Sequence, residues 1–84
     1  MSPTDLISLF DSNPGRPFRL TLSSGDTVDV DNPTRTLFEK MTVYVGQADD
    51  PKARQAKRIK VVSIPNIALA EMIEPRMLRT RRRR

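Results

Sequence analysis

Two different periods of apolar residues follow one another along the chain. Leu6, Leu9 and Phe10, with Ile7 beside them, recur at helical spacing. Ser2-Pro3-Thr4-Asp5 supplies a serine N-cap, a proline at the first helical position and an early acid, while Asn13-Pro14-Gly15 stops the run. The pattern predicts one helix of about ten residues, too short to persist without something to pack on. From Phe18 the period becomes two. Phe18, Leu20 and Leu22 alternate with Arg19 and Thr21, Ser23-Ser24-Gly25-Asp26 turns the chain, and Val28 and Val30 alternate with Asp29 and Asp31. This is a hairpin, ended by Asn32-Pro33 because proline has no N–H for the ladder.

Residues 34–40 carry no clear period, although Leu37 and Phe38 have the character of a pin onto the core. Met41, Val43 and Val45 predict a third strand ending at Gly46, and 47–57 reads as an exposed polar loop. A fourth strand is expected from Arg58 to Ile64, a turn at Pro65-Asn66, and a fifth strand from Ala68 to Glu74. Pro75 is expected to end the order. The expected fold is α+β and mainly β: a helix, then a five-stranded antiparallel meander curled into a small barrel, with Phe10, Phe18 and Phe38 in the core. Residues 1–75 are expected to form one domain and 76–84 a disordered arginine-rich tail.

Composition narrows the chemistry. The chain has 84 residues with neither cysteine nor histidine, which removes disulfides, thiolates, imidazole bases and the usual soft-metal ligands. Ser23, Ser24 and Ser63 have no imidazole to activate them, and Gly25 and Gly46 belong to no phosphate-cradling motif. Asp26, Asp29 and Asp31 read as solvent-facing strand and turn residues rather than a catalytic or metal site. No enzyme activity, metal, cofactor or small-molecule substrate is expected. No apolar run approaches the roughly 20 residues that span a bilayer, so a cytoplasmic module without a membrane partner is expected.

Charge changes the picture most. The net charge is +5, yet residues 1–75 hold nine bases and ten acids, whereas Arg76, Arg79, Arg81, Arg82, Arg83 and Arg84 follow with no acid among them. A second basic group comprises Lys52, Arg54, Lys57, Arg58 and Lys60. Segregation of this kind suits a polyanion, and arginine forks match phosphate oxygens bidentately. A solubilising or artificial end, or contact with an acidic protein or membrane surface, are the competing readings of the tail. Few aromatics are present, which directs recognition to the nucleic-acid backbone. Tyr44 is out of phase with the apolar face of its strand and is a candidate base contact, packing on the helix being the alternative. Asn66 is another candidate, or else caps its own turn.

Phe18-Arg19-Leu20-Thr21-Leu22-Ser23-Ser24-Gly25 and Val61-Val62-Ser63-Ile64-Pro65-Asn66-Ile67-Ala68 resemble the two signature segments of the Sm-like family, in particular its bacterial Hfq branch. The chain also resembles short bacterial proteins of this length that share its Pro-Phe-x-Leu-x-Leu opening. The resemblance implies a helix before five bent strands, edge-to-edge rings and RNA rather than DNA. Where the family carries a Lys-His pair this chain has Pro65-Asn66, so the family's RNA contacts transfer only at Asn66. The sequence therefore predicts a non-enzymatic nucleic-acid-binding protein acting through phosphate contacts. The alternative is an interaction or structural module that forms homo-oligomers through its sheet edges.

Overall fold

The helix forms where its capping residues dictate. In the computed structural model, which describes residues 1–50 and 52–77, α1 spans Pro3–Ser12 and the Ser2 hydroxyl accepts from the Asp5 N–H at 3.1 Å. Asp5 in the first turn also complements the helix dipole. At the other end the Asn13 N–H bonds the Phe10 carbonyl and its side chain donates to the Leu9 carbonyl. Leu6 and Phe10 are the buried stripe.

Six strands follow, in two three-stranded antiparallel sheets. The first has the order β2-β1-β6, from β1 (Phe18–Leu22), β2 (Thr27–Val30) and β6 (Ile67–Met72). Its central register sets Phe18 opposite Val30 and Leu20 opposite Val28, so their side chains share the core face. Gly25 closes the hairpin at φ +96°, a conformation that glycine adopts without strain. The second sheet has the order β3-β4-β5, from β3 (Thr36–Glu39), β4 (Thr42–Gln47) and β5 (Arg58–Ser63). Val43 and Val62 pair on its core face, with Val45 two residues on.

Two expectations are corrected here. There are six strands rather than five, and they do not close into a barrel. The extra strand is β3, inside the segment that showed no period. Its four residues pair Thr36 with Val45 and Phe38 with Val43, so β4 rather than local patterning creates it. Only Phe38 of the expected pin faces the core; Leu37 stands on the other face and is exposed. Met41 is also exposed, because it belongs to the turn between β3 and β4, where Lys40 takes φ +43°. Pro75 does not end the ordered chain at once but opens a 3-10 turn over Pro75–Met77.

The two sheets meet across the core without a shared ladder. Phe10 joins them: its ring stacks on Phe18 of β1 at 4.8 Å between centroids and meets Phe38 of β3 edge-on at 5.8 Å. A buried polar link adds to this, the Gln47 amide donating to the Asp29 carbonyl at 2.8 Å and so tying β4 to β2.

Arg35 fixes the second sheet to the loop after β4. It ends a 3-10 turn (Pro33–Arg35) capped by the Asn32 side chain, which accepts from the Thr34 N–H. Its side chain is only 3% exposed and donates to the Gly46 carbonyl at 2.7 Å, the Ala53 carbonyl at 2.8 Å and Asp31 Oδ1 at 3.1 Å. A lysine ammonium cannot reproduce that planar fork. Arg35→Lys keeps the charge but loses part of this hydrogen-bond set, and is expected to lower stability by about 2 kcal/mol in urea denaturation. Amide exchange should also speed up first in the 48–57 loop.

Candidate nucleic-acid interface

The basic residues that the sequence groups together are divided by the structure. In β5, Arg58 and Lys60 share the side of Val62, whereas Ile59 and Val61 take the opposite face. Lys57 Nζ pairs with Asp49 Oδ2 at 3.2 Å, and Arg58 Nη2 lies 3.8 Å from Asp49 Oδ1. That second distance is too long for a hydrogen bond, and Arg58 Nη2 is buried with no partner. Lys60 borders a cleft of about 530 Å³ between the β1–β2 hairpin and β5, with Asp26 on its far wall. Lys52, Arg54 and Lys60 form no salt bridge among the described residues. The segment is thus three separate features: Lys57 and Arg58 sharing one carboxylate, one cleft lysine, and the loop cations Lys52 and Arg54.

The terminal arm is represented by Arg76 alone; Arg79, Arg81, Arg82, Arg83 and Arg84 lie outside the described residues. Arg76 Nε is 2.6 Å from Glu74 Oε1, but its side chain is 84% exposed. A pair so open to water is held weakly and yields to a competing phosphate.

Asp26 is exposed as expected, but Asp29 and Asp31 are not solvent-facing. Asp29 is buried and takes both Arg19 nitrogens, Nε at 2.7 Å and Nη2 at 3.2 Å, across the β1–β2 pair. This hydrogen-bonded pairing raises the Arg19 pKa. Asp31 is held by Arg35. Both carboxylates are therefore structural counter-ions, which removes two anions from the surface that a polyanion would meet. Among the described residues no group of three or more carboxylates could hold a metal ion. No helix among them is long and apolar enough to cross a membrane.

The two candidate base contacts lie on different elements. Asn66 is exposed in the 3-10 turn Ile64–Asn66, and its carbonyl accepts from the Ser23 N–H at 2.7 Å and the Ser23 hydroxyl at 3.1 Å, clamping the end of β1. Tyr44 stands in the middle of β4, paired with Leu37 on one side and Val61 on the other. This is the face opposite Val43 and Val45, so Tyr44 does not pack on the helix.

Beside Tyr44 is a shallow pocket of about 260 Å³, walled by Leu37, Ile59, Ala56 and Arg54 with Gly46 at its floor. Gly46, expected only to end a strand, sits within β4 and is packed from above. A Cβ there would fall 2.9 Å from both the Ala56 Cβ and the Arg35 carbonyl oxygen. Nothing local in the sequence signals this pocket, because its walls come from β3, β4, β5 and the loop between the last two.

Comparison with known proteins gave no matching family model, curated protein or solved structure.

Tyr44 Oη donates to Glu39 Oε1 at 3.0 Å. That hydrogen bond first, and then the negative charge of Glu39, hold the phenol pKa above its ordinary value. Stability linked to this raised pKa is present at neutral pH and is lost as pH rises through the folded-state value. Tyr44 is the sole tyrosine, so an absorbance titration of the folded protein reads it alone. Its midpoint should lie above about 10, and Glu39→Gln should bring it down.

Proposed function

We propose that the protein is a non-enzymatic nucleic-acid-binding module that grips phosphate backbones, RNA in preference to DNA, through its C-terminal arginines and the cations of the 52–60 loop and strand. One observation carries the reading. The body balances its own charge through Arg19–Asp29, Arg35–Asp31 and Lys57–Asp49, whereas six arginines without a single acid occupy residues 76–84. Arginines so concentrated, with Arg76 held only by its water-exposed pair with Glu74, are what a condensed polyanion attracts in place of its own counter-ions. Kinship with the Sm-like family is part of this proposal, although the closed five-stranded barrel that the resemblance implies is not present. The helix-first order and the 3-10 turn between β5 and β6 support it.

The measurement is affinity for single-stranded RNA, single-stranded DNA and duplex across a salt series. With all six terminal arginines engaged, log K should fall with log salt at a slope of roughly −4 to −5. Removal of residues 76–84 should weaken binding about equally for every sequence. A shortened chain that binds as tightly as the full one would refute the arm's role.

A second reading is favoured by the sheet edges. Strands β5 and β6, six residues each, are paired on one side only. Ile59 and Val61 on β5 are 63% and 64% exposed, and Leu69 and Met72 on β6 about half exposed. Long apolar edges of this kind invite another strand. They are also complementary, because β5 carries Arg58 and Lys60 while Glu71 lies on β6 and Glu74 just after it. A head-to-tail pairing of β5 with β6 of a second copy satisfies both edges. Light scattering should then give a mass several times that of one chain, and Val61→Lys should reduce it to a monomer. A monomer at high concentration in the unaltered protein would dismiss the edge pairing.

A further inference from the structure

We propose that the pocket beside Tyr44 is a stacking site for one base of a single-stranded nucleic acid. The inference rests on the nucleic-acid reading above and assigns it a base contact away from the arginine arm. The outer face of the β3-β4-β5 sheet is unusual for a solvent-facing surface. Leu37, Tyr44 and Val61 run across it as a register row, with Ile59 adjoining. Gly46 lies at its base, covered by Ala56 and Arg35, and the hollow between Tyr44, Ile59 and Ala56 is mostly apolar. Its volume is just below the lower end of drug-sized cavities, about 300 Å³. A single flat ring system suits it better than a whole small molecule.

Charge selects the occupant and its direction. Arg54 lines the pocket and forms no salt bridge among the described residues, and Lys52 stands exposed in the same loop. On the Tyr44 side, Glu39 accepts the tyrosine hydroxyl. An anionic backbone is therefore attracted at the Arg54 side and repelled at the Glu39 side, so a base enters with its sugar-phosphate running past Arg54. The second arginine of the wall, Arg35, already serves Asp31 and the carbonyls of Gly46 and Ala53, and holds the pocket's shape. Tyr44 provides the π-face, and every base can use it, which fits recognition with little sequence preference.

The test uses the full chain and two single-stranded decanucleotides, one with a central 2-aminopurine and one abasic at that position. The strand with the base should bind about 5- to 100-fold more tightly, and its fluorescence should be quenched. Two variants should collapse that ratio towards one: Tyr44→Leu, which removes the aromatic face, and Ala56→Leu, which fills the pocket from an exposed position. Tyr44→Phe should preserve it. Equal affinity for the two strands in the unaltered protein, or a ratio that survives Ala56→Leu, would overturn the pocket while leaving the phosphate grip standing. Absence of binding by both strands at low salt would overturn the nucleic-acid reading as well. A fall in light-scattering mass with Ala56→Leu would mean that a second copy covers the pocket, and would also overturn it.

Discussion

Two sheets that share no hydrogen-bond ladder depend above all on side-chain packing, and here three phenylalanines lead the join. Phe10 touches Phe18 of one sheet and Phe38 of the other, so a ten-residue helix that would melt alone becomes the part that unites the body. The dependence is mutual. The helix gains its order from the sheets, and the sheets gain from it a lid over their common apolar faces. In a chain of 84 residues, with little interior to spare, a few large side chains carry a great share of the burial.

The polar interior follows from the same shortage of core. Arg35, Asp29 and Gln47 are buried and hydrogen-bonded, each linking segments that apolar packing does not reach. Arg35 has the widest consequence. It draws the loop after β4 down onto Gly46, and the contact is so close that only a residue without a side chain fits beneath it. The pocket beside Tyr44 is a by-product of that contact.

Electrostatics divides the molecule functionally. Within the body, cations are spent on neighbouring carboxylates, and an ion pair so satisfied offers little to an external anion. Among the described residues, Lys52 and Arg54 on the loop facing the pocket and Lys60 at the cleft beside β2 form no ion pair.

Local chemistry determined much of this architecture. Ser2-Pro3 and Asn13-Pro14 mark the helix, Ser23 to Asp26 mark the hairpin, and alternation marks β1, β2, β4 and β5, because caps, turns and periodicity act between residues close in sequence. The charge separation is equally a property of the sequence. Tertiary structure alone decided what depends on distant partners. Strand β3 exists because β4 lies beside it, Asp29 is buried because Arg19 stands across the hairpin, and Lys52 to Lys60 is divided because Asp49 draws Lys57 and Arg58 while Lys60 meets the β1–β2 hairpin. The pocket belongs with these. Its walls are separated by up to 24 positions along the chain, from Arg35 to Ile59, and no period or motif spans such a gap until pairing has brought the segments together.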